Sequence, residues 1–406
     1  MTKTLSALML STALVAGFAT AAFAQDKNVK IGVLNDQSGL YADLAGPGSV
    51  LAAQMAVEDS GLTAKGWKIE VISGDHQNKP DIGVNIARQW IDVEKVDVIS
   101  DVPTSSVALA INNLVKEKNS ILLNSGAGTS DLTNSQCTAN TIHWTYDTYM
   151  LANGTGSALT KSGGDTWFFL TADYAFGAAL ERDTTAAVTA NGGKVVGSVK
   201  HPLNTSDFSS FLLQAQASKA KVIGLANAGG DTINSIKQAS EFGIVKGGQK
   251  LAGLLMFLSD VNALGLNIAQ GLNMTETFYW DLNDGTRAFS KRFQERAKNK
   301  AMPTMVQAGV YSSLIHYFKT LDKLGSNPHD GAKVVAAMKG MPVDDPLFGK
   351  GTIEPNGRNV HDAYLFEVKS PSESKGPWDY YKLVSKIPAD KAFTPLDKST
   401  CPLLKK

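Results

Sequence analysis

From Val96 to Leu132 the chain reads strand, helix start, strand and loop: Val96-Asp-Val-Ile-Ser100, Val102-Pro-Thr-Ser-Ser106, Ile121-Leu-Leu-Asn124 and Ser125-Gly-Ala-Gly-Thr-Ser130. Both apolar runs are short and each ends in small or hydroxylated residues, which suits neighbouring parallel strands buried on both faces. Ser106–Lys116 supplies the helical crossover that a parallel pair requires. This pattern sets the carboxyl ends of two strands side by side, and in open α/β sheets the crevice there binds ligands. The N–H groups of the helix start and the hydroxyls of Thr104, Ser105, Ser106 and Ser125 offer donors to a small anion. The same residues have a structural use, Thr104 and Ser105 as a helix cap and Gly126 and Gly128 as turn residues.

The amino end is basic at Lys3, apolar from Leu5 to Phe23, and closes on Ala22-Phe-Ala24 before the polar Gln25-Asp-Lys-Asn28. That is the build of a secretory signal peptide, with cleavage expected after Ala24 and a periplasmic mature chain. Residues 25–406 exceed one ordinary core and imply two domains. With 39 basic and 38 acidic residues and no basic stripe, nucleic acid is not an expected partner. The two cysteines, Cys137 and Cys401, are expected either to pair in an oxidising compartment, tying the tail to the loop after the organising stretch, or to stay as separate buried thiols.

In chain order, strand–helix units repeat four times, beginning with Asn28–Asn35 and its loop Asp36-Gln-Ser-Gly-Leu-Tyr-Ala-Asp43. A second series follows His143-Trp-Thr-Tyr146, with strands expected at Thr166–Thr171, Lys194–Lys200, Lys221–Ala226 and Lys250–Leu255. The fold class is therefore α/β, two doubly wound parallel sheets. From Met274 the pattern changes: Thr277-Phe-Tyr-Trp-Asp281 reads as extended, then come helices Thr286–Lys300, Thr304–Leu324 and Asp330–Lys339. Pro346–Ile353, Ala363–Val368 and Trp378–Lys386 read as strands.

Catalytic signatures are missing. There is no His-Glu-x-x-His, no Cys/His cluster for a metal, no Gly-x-Ser-x-Gly elbow and no Walker loop. Gly126-Ala-Gly128 has two glycines of a dinucleotide fingerprint, but Asp131 stands where the third belongs. No cofactor is expected, and an exported two-domain chain without a catalytic set points to binding. At this point the chain resembles the periplasmic solute-binding proteins of ABC importers, of the type I, branched-chain amino acid-binding kind, with its aromatic-acid-binding branch in view. The resemblance rests on Ile31-Gly-Val-Leu…Ser38-Gly39, Pro103-Thr-Ser-Ser106, Ile121-Leu-Leu-Asn-Ser-Gly-Ala127, Asp173-Tyr-Ala-Phe-Gly177, the Tyr311 helix and Phe348-Gly-Lys-Gly…Asn356-Gly357.

The resemblance implies two lobes joined by three crossover strands, near Trp144, Tyr279 and His361. Lobe 1 would be 25–143 with 280–358, lobe 2 144–279 with 359–386, and 387–406 a tail. It implies a carboxylate held in lobe 1 at Thr104, Ser105, Gly126 and Gly128; the family's threonine falls on Gly128, so that hydrogen bond would be lost or moved to Ser125 or Ala127, and Pro103 is expected at the same site. From lobe 2, Phe176 would close over the ligand beside Tyr174, and Ala228 takes the place of a family aromatic next to Asn227. Amino acid binders carry a carboxylate just past the strand ending at Leu254-Leu-Met-Phe257, where this chain is apolar. Asp231 or Asp173 is the alternative partner for an ammonium. Tyr41, Tyr174, Phe176, Met256, Phe257 and one of Tyr279 or Trp280 would make an aromatic-rich cleft. The expected protein is a monomeric receptor that delivers a small organic acid, preferably an aromatic carboxylate, to a membrane permease/ATPase complex. The alternatives are a branched-chain or neutral amino acid receptor and a ligand-sensing ectodomain for a signalling partner.

Overall fold

A computed structural model describes residues 26–404, so the expected signal peptide lies outside the described residues. The first half of the chain lays down β1 (Asn28–Asn35), α1 (Gly46–Asp59), β2 (Lys68–Asp75), α2 (Pro80–Asp92), β3 (Val98–Asp101), α3 (Ser105–Lys118), β4 (Ile121–Asn124) and β5 (Thr141–His143). These form one parallel sheet in the order β2-β1-β3-β4-β5. The central strands β3 and β4 are buried at every position, as helices on both faces of a parallel sheet demand.

After Trp144–Asp147 come α4 (Thr148–Leu151), a π-helical turn at Ala152–Gly156, and α5 (Ser157–Lys161). The second sheet then builds from β6 (Thr166–Ala172), α6 (Ala175–Ala190), β7 (Lys194–His201), α7 (Ser209–Ala217), β8 (Val222–Ala226), α8 (Gly230–Glu241) and β9 (Lys250–Gly253), in the parallel order β7-β6-β8-β9. Two short helices, α9 (Leu258–Leu264) and α10 (Leu266–Ala269), precede β10 (Asn273–Glu276).

The chain then returns to the first sheet with α11 (Asp284–Arg296), α12 (Met305–Leu324) and α13 (Gly331–Lys339), which pack on α1, β3 and β4. A small antiparallel sheet follows, β11 (Val343–Asp345), β12 (Gly349–Ile353) and β13 (Asn359–Val360). β14 (Ala363–Val368) pairs antiparallel with β10 on one side and with β15 (Tyr381–Ile387) on the other, beside the second sheet. Two expectations need correction. Thr277–Asp281 is irregular, because Tyr279 and Trp280 anchor to the carbonyl of Trp378 at 3.1 and 2.7 Å rather than to a strand. The strand expected over 346–353 begins only at Gly349: residues 346–348 form the turn that joins it to β11.

Glycine sets the spacing between helix and sheet on the first sheet. A Cβ at Gly32 in β1 would lie 2.4 Å from the Trp90 ring of α2, and one at Gly74 in β2 2.9 Å from it. Cys137 and Cys401 are bonded, Cα–Cα 5.5 Å, across 264 residues of chain. Among the described residues no helix is long and apolar enough to cross a membrane. The Trp90 seat is testable: Gly32→Ala must displace the indole or the strand, and overpacking of this kind costs about 1–3 kcal/mol. A denaturant titration should show its midpoint lowered accordingly, and an unchanged midpoint would mean the ring moves freely.

Candidate functional site

The loops at the carboxyl ends of both sheets face each other. In the loop after β1 the buried Asp36 carboxylate accepts the N–H groups of Gly39 (2.7 Å) and Tyr41 (2.8 Å) and the amide of Asn78 (2.6 Å). This Asx-type turn folds 36–41 back so that the Tyr41 ring enters the cleft. After β3, Asp101 (φ 82) and Val102 (φ 55) lie in the left-handed region, costly for a β-branched residue. The sharp turn they make aims Pro103 and the start of α3 inward. After β4, Asn124 clamps its own loop through Ala127 O (2.8 Å) and N–H (3.3 Å). Gly126 lets the two loops touch: a Cβ there would lie 2.6 Å from the Pro103 Cα.

The opposite wall is Tyr174 and Phe176 at the start of α6, Ala228 after β8, and Leu255 and Phe257 after β9. With Tyr41, Leu44, Pro103, Gly126 and Tyr146 they enclose a cavity of about 10 Å³. The two halves touch: the Tyr41 and Tyr174 hydroxyls are 2.6 Å apart, and the Gly230 N–H reaches Leu40 O at 3.5 Å. Tyr146 donates its hydroxyl to Gly126 O. Its ring and that of Phe176 press on Gly128, where a Cβ would come within 2.9 Å of each. The bare Cα is what lets these two rings meet the loop after β4.

Of the expected site residues, Tyr41, Pro103, Gly126, Tyr174, Phe176 and Phe257 line this cavity. The others stand behind it, most with their polar groups engaged elsewhere. Thr104 gives its hydroxyl to Asn78 and makes no side-chain cap. Ser105 accepts the Thr129 N–H (3.2 Å). The Ser125 and Gly126 N–H groups point to Asp101 O, while the Ser125 hydroxyl is buried without a partner. Ala127 closes the Asn124 clamp. Asn227 accepts from Thr232 (2.7 Å) and faces His201 (3.2 Å). Met256, Tyr279 and Trp280 belong to the core of the second sheet, not to the cavity. Ala228 lies in the wall, at the position where the resemblance puts a family aromatic, while Tyr146, Leu44 and Leu255 were outside the expected set. The signal for Tyr146 was an aromatic in the segment leaving the first sheet.

No charged side chain lines the cavity. Asp231 accepts the N–H groups of Asn204 (3.1 Å) and Thr205 (2.8 Å), and burial pushes its carboxyl up to about 7. Asp173 is exposed and pairs with Lys200 at 3.2 Å. Asp260, three residues past Phe257, is fully buried; it accepts the Phe257 N–H at 3.0 Å, and burial raises it to about 7. Asp101, whose carboxylate meets Asn35 at 2.8 Å, is raised by burial to about 6. The α3 N–H groups of Ser105, Ser106 and Val107 precede the first bond of that helix, Ala108 N–H to Thr104 O. They are the positive end of a helix dipole beside Pro103. Among the described residues no group of three or more His, Cys, Asp or Glu is placed to hold a metal ion.

Two sheets of this topology with a shared cleft at their carboxyl ends define a two-lobed binding protein, and the comparisons with known proteins agree. The periplasmic binding protein family matches residues 28–377. The chain belongs to that family, whose members are substrate receptors of ABC-type transporters and not enzymes. A periplasmic binding protein from Burkholderia mallei is 52% identical, with 93% of this chain and 100% of that one covered and a TM-score of 0.90. A branched-chain amino acid ABC transporter periplasmic ligand-binding protein from Burkholderia xenovorans is 42% identical over 92% of this chain and 99% of that one, TM-score 0.81. A solute-binding protein of an ABC transporter from Rhodopseudomonas palustris, solved in complex with 3,4-dihydroxybenzoic acid, is 26% identical over 92% and 100%, TM-score 0.81.

Two predictions come from this arrangement. Thr104→Val leaves the Asn78 carbonyl without its donor, so stability should fall by about 1 kcal/mol; a urea titration reads it. Asp260, with a folded value of about 7 against about 3.9 in an unfolded chain, stabilises the fold when protonated. That contribution is full below pH about 4 and is lost as pH rises through about 7. Asp260→Asn keeps an acceptor for Phe257 and should lessen the loss of stability between about pH 4 and about pH 7 by more than about 1 kcal/mol. Parallel pH profiles of variant and parent would contradict it.

Proposed function

We propose that this receptor captures a small organic acid, with an aromatic carboxylate preferred, and hands it to a membrane permease/ATPase complex. One observation carries the reading: five of the residues around the cavity, Tyr41, Tyr146, Tyr174, Phe176 and Phe257, are aromatic, and no carboxylate stands among the rest. An amino acid brings an ammonium that would be desolvated there without a counter-ion, a penalty of several kcal/mol. An aromatic acid brings one charge and a ring. The ring matches the walls, and the carboxylate matches the N–H groups opening α3. The dihydroxybenzoate bound by the Rhodopseudomonas relative supports the same class.

In this reading the exported chain, cleaved after Ala24, works as a monomer with lobe 1 from 25–143 and 280–358 and lobe 2 from 144–279 and 359–386. Thr104, Ser105, Ser125, Ala127 and Asn227 shape the walls from behind. The enclosed space of about 10 Å³ holds one water at most, whereas benzene occupies a cavity of about 150 Å³. Ligand entry therefore parts Tyr41 from Tyr174 by hinge bending. A second reading, a branched-chain amino acid receptor, is favoured by the Burkholderia xenovorans relative's description, and Asp231 would then pair the ammonium.

Calorimetric titration of the purified protein with benzoate, cinnamate, leucine, isoleucine and valine separates the two. Aromatic acids should bind, with the aliphatic amino acids at least about a hundredfold weaker, a gap of roughly 2.7 kcal/mol. Tight leucine binding that is lost in Asp231→Asn would overturn the aromatic assignment.

A further inference from the structure

The tail after β15 returns from the second sheet to the first. The Ala389 N–H bonds Asp362 at 3.0 Å, and Lys391 O accepts from Asn153 in the π-helical turn at 2.6 Å. Farther on, Ser399 donates to Thr133 O at 3.2 Å, and Cys401 is bonded to Cys137 in the loop before β5. Midway, the buried Phe393 lies with its ring centroid 4.3 Å from the guanidinium carbon of Arg358.

Arg358 is 1% exposed and sits where the chain segments between the sheets meet. It donates to Tyr146 O at 3.2 Å and Asn359 O at 3.0 Å, and lies 3.7 Å from the Asp147 carboxylate, itself 1% exposed. Its second terminal nitrogen has no hydrogen-bond partner, nor has the facing Asp147 oxygen. A guanidinium paired this loosely keeps its place through what covers it, and the Phe393 ring face is the cover. Tyr146 is the cavity wall that reaches Gly126. So the tail presses on Arg358, Arg358 holds the Tyr146 backbone, and Tyr146 joins the two walls.

We propose that the disulfide-anchored tail is a fourth connection between the lobes, and that Phe393 and Arg358 are positioning residues that set the lobe angle and through it ligand affinity. The hinge claim stands without any ligand identity; the affinity claim rests on the aromatic-acid reading above.

The test compares the parent with Phe393→Leu, which keeps the apolar fill but removes the ring face, and with the Cys137→Ser/Cys401→Ser double variant. Without ligand, amide hydrogen exchange at 144–147 and 358–361 should rise about tenfold in both variants while β4 stays protected. Small-angle scattering should show a larger radius of gyration. Benzoate should bind at least about threefold more weakly, since affinity scales with the population of the competent closed form. Unchanged exchange and radius in the double variant, with residues 389–404 themselves exchanging freely, would overturn the proposal. Should the double variant fail to fold, Phe393→Leu decides by the same two readings. If benzoate binds none of the proteins, the aromatic reading falls while exchange and scattering still decide the hinge.

Discussion

Parallel strands send all their carboxyl ends to one edge, and this one constraint sets the layout of the molecule. Strands β1, β3 and β4 on one side and β6, β8 and β9 on the other deliver their loops to a common gap, so the binding surface is made of strand ends and not of any single element. Each loop is then stiffened locally, by the Asp36 turn, the left-handed pair Asp101–Val102 and the Asn124 clamp. Rigid loops on buried strands hold apolar rings in place at little further entropic cost.

The cleft that results is aromatic, with its carboxylates set back behind the walls. Asp101, Asp231 and Asp260 are each raised by burial and held by backbone or amide donors in place of cations. Burial raises the hydroxyls of the lining tyrosines, and from behind the walls these charges push them up further, Asp231 those of Tyr41 and Tyr174, and Asp101 and Asp260 that of Tyr146. The helix starts at the cavity, α3 beside Pro103 and α6 at Tyr174 and Phe176, turn their positive ends toward it. That division, rings in front and carboxylates behind, is the feature on which the proposed preference for a flat monoanion rests.

The sheets were legible in the amino-acid order because their signals are local: short apolar runs closed by Asn, Ser or Gly, alternating with helical periods. The π-helical turn at Ala152–Gly156 and the short α9 and α10 were not, since Gly154 is dictated by its contact with Thr275 and Leu258–Leu264 continues an apolar run. In the site, aromatic walls at strand ends could be read directly, as Tyr41, Tyr174, Phe176 and Phe257 were. Hydroxyl roles could not. Thr104 looks like an anion donor until the side-chain carbonyl of Asn78, from the loop after β2, is found to accept its hydrogen bond. Whether a polar group is free depends on neighbours distant in the chain, and local patterns carry no information about them.

The first described residues are held by residues some three hundred positions later. Asn327 donates to Asp26 O at 2.7 Å and to Asn28 O at 2.9 Å, and His329 bridges Asp26 and Asp97 at 3.0 and 2.6 Å. The first sheet also waits for α12 to cover α1. The amino-terminal portion therefore has no finished core of its own to fold into while the remainder is still being made, and closing so long a loop is slow. This back-to-front dependence ties the leading part of the chain to a later one: its native packing is complete only once α12 and the Asn327–His329 segment are in place.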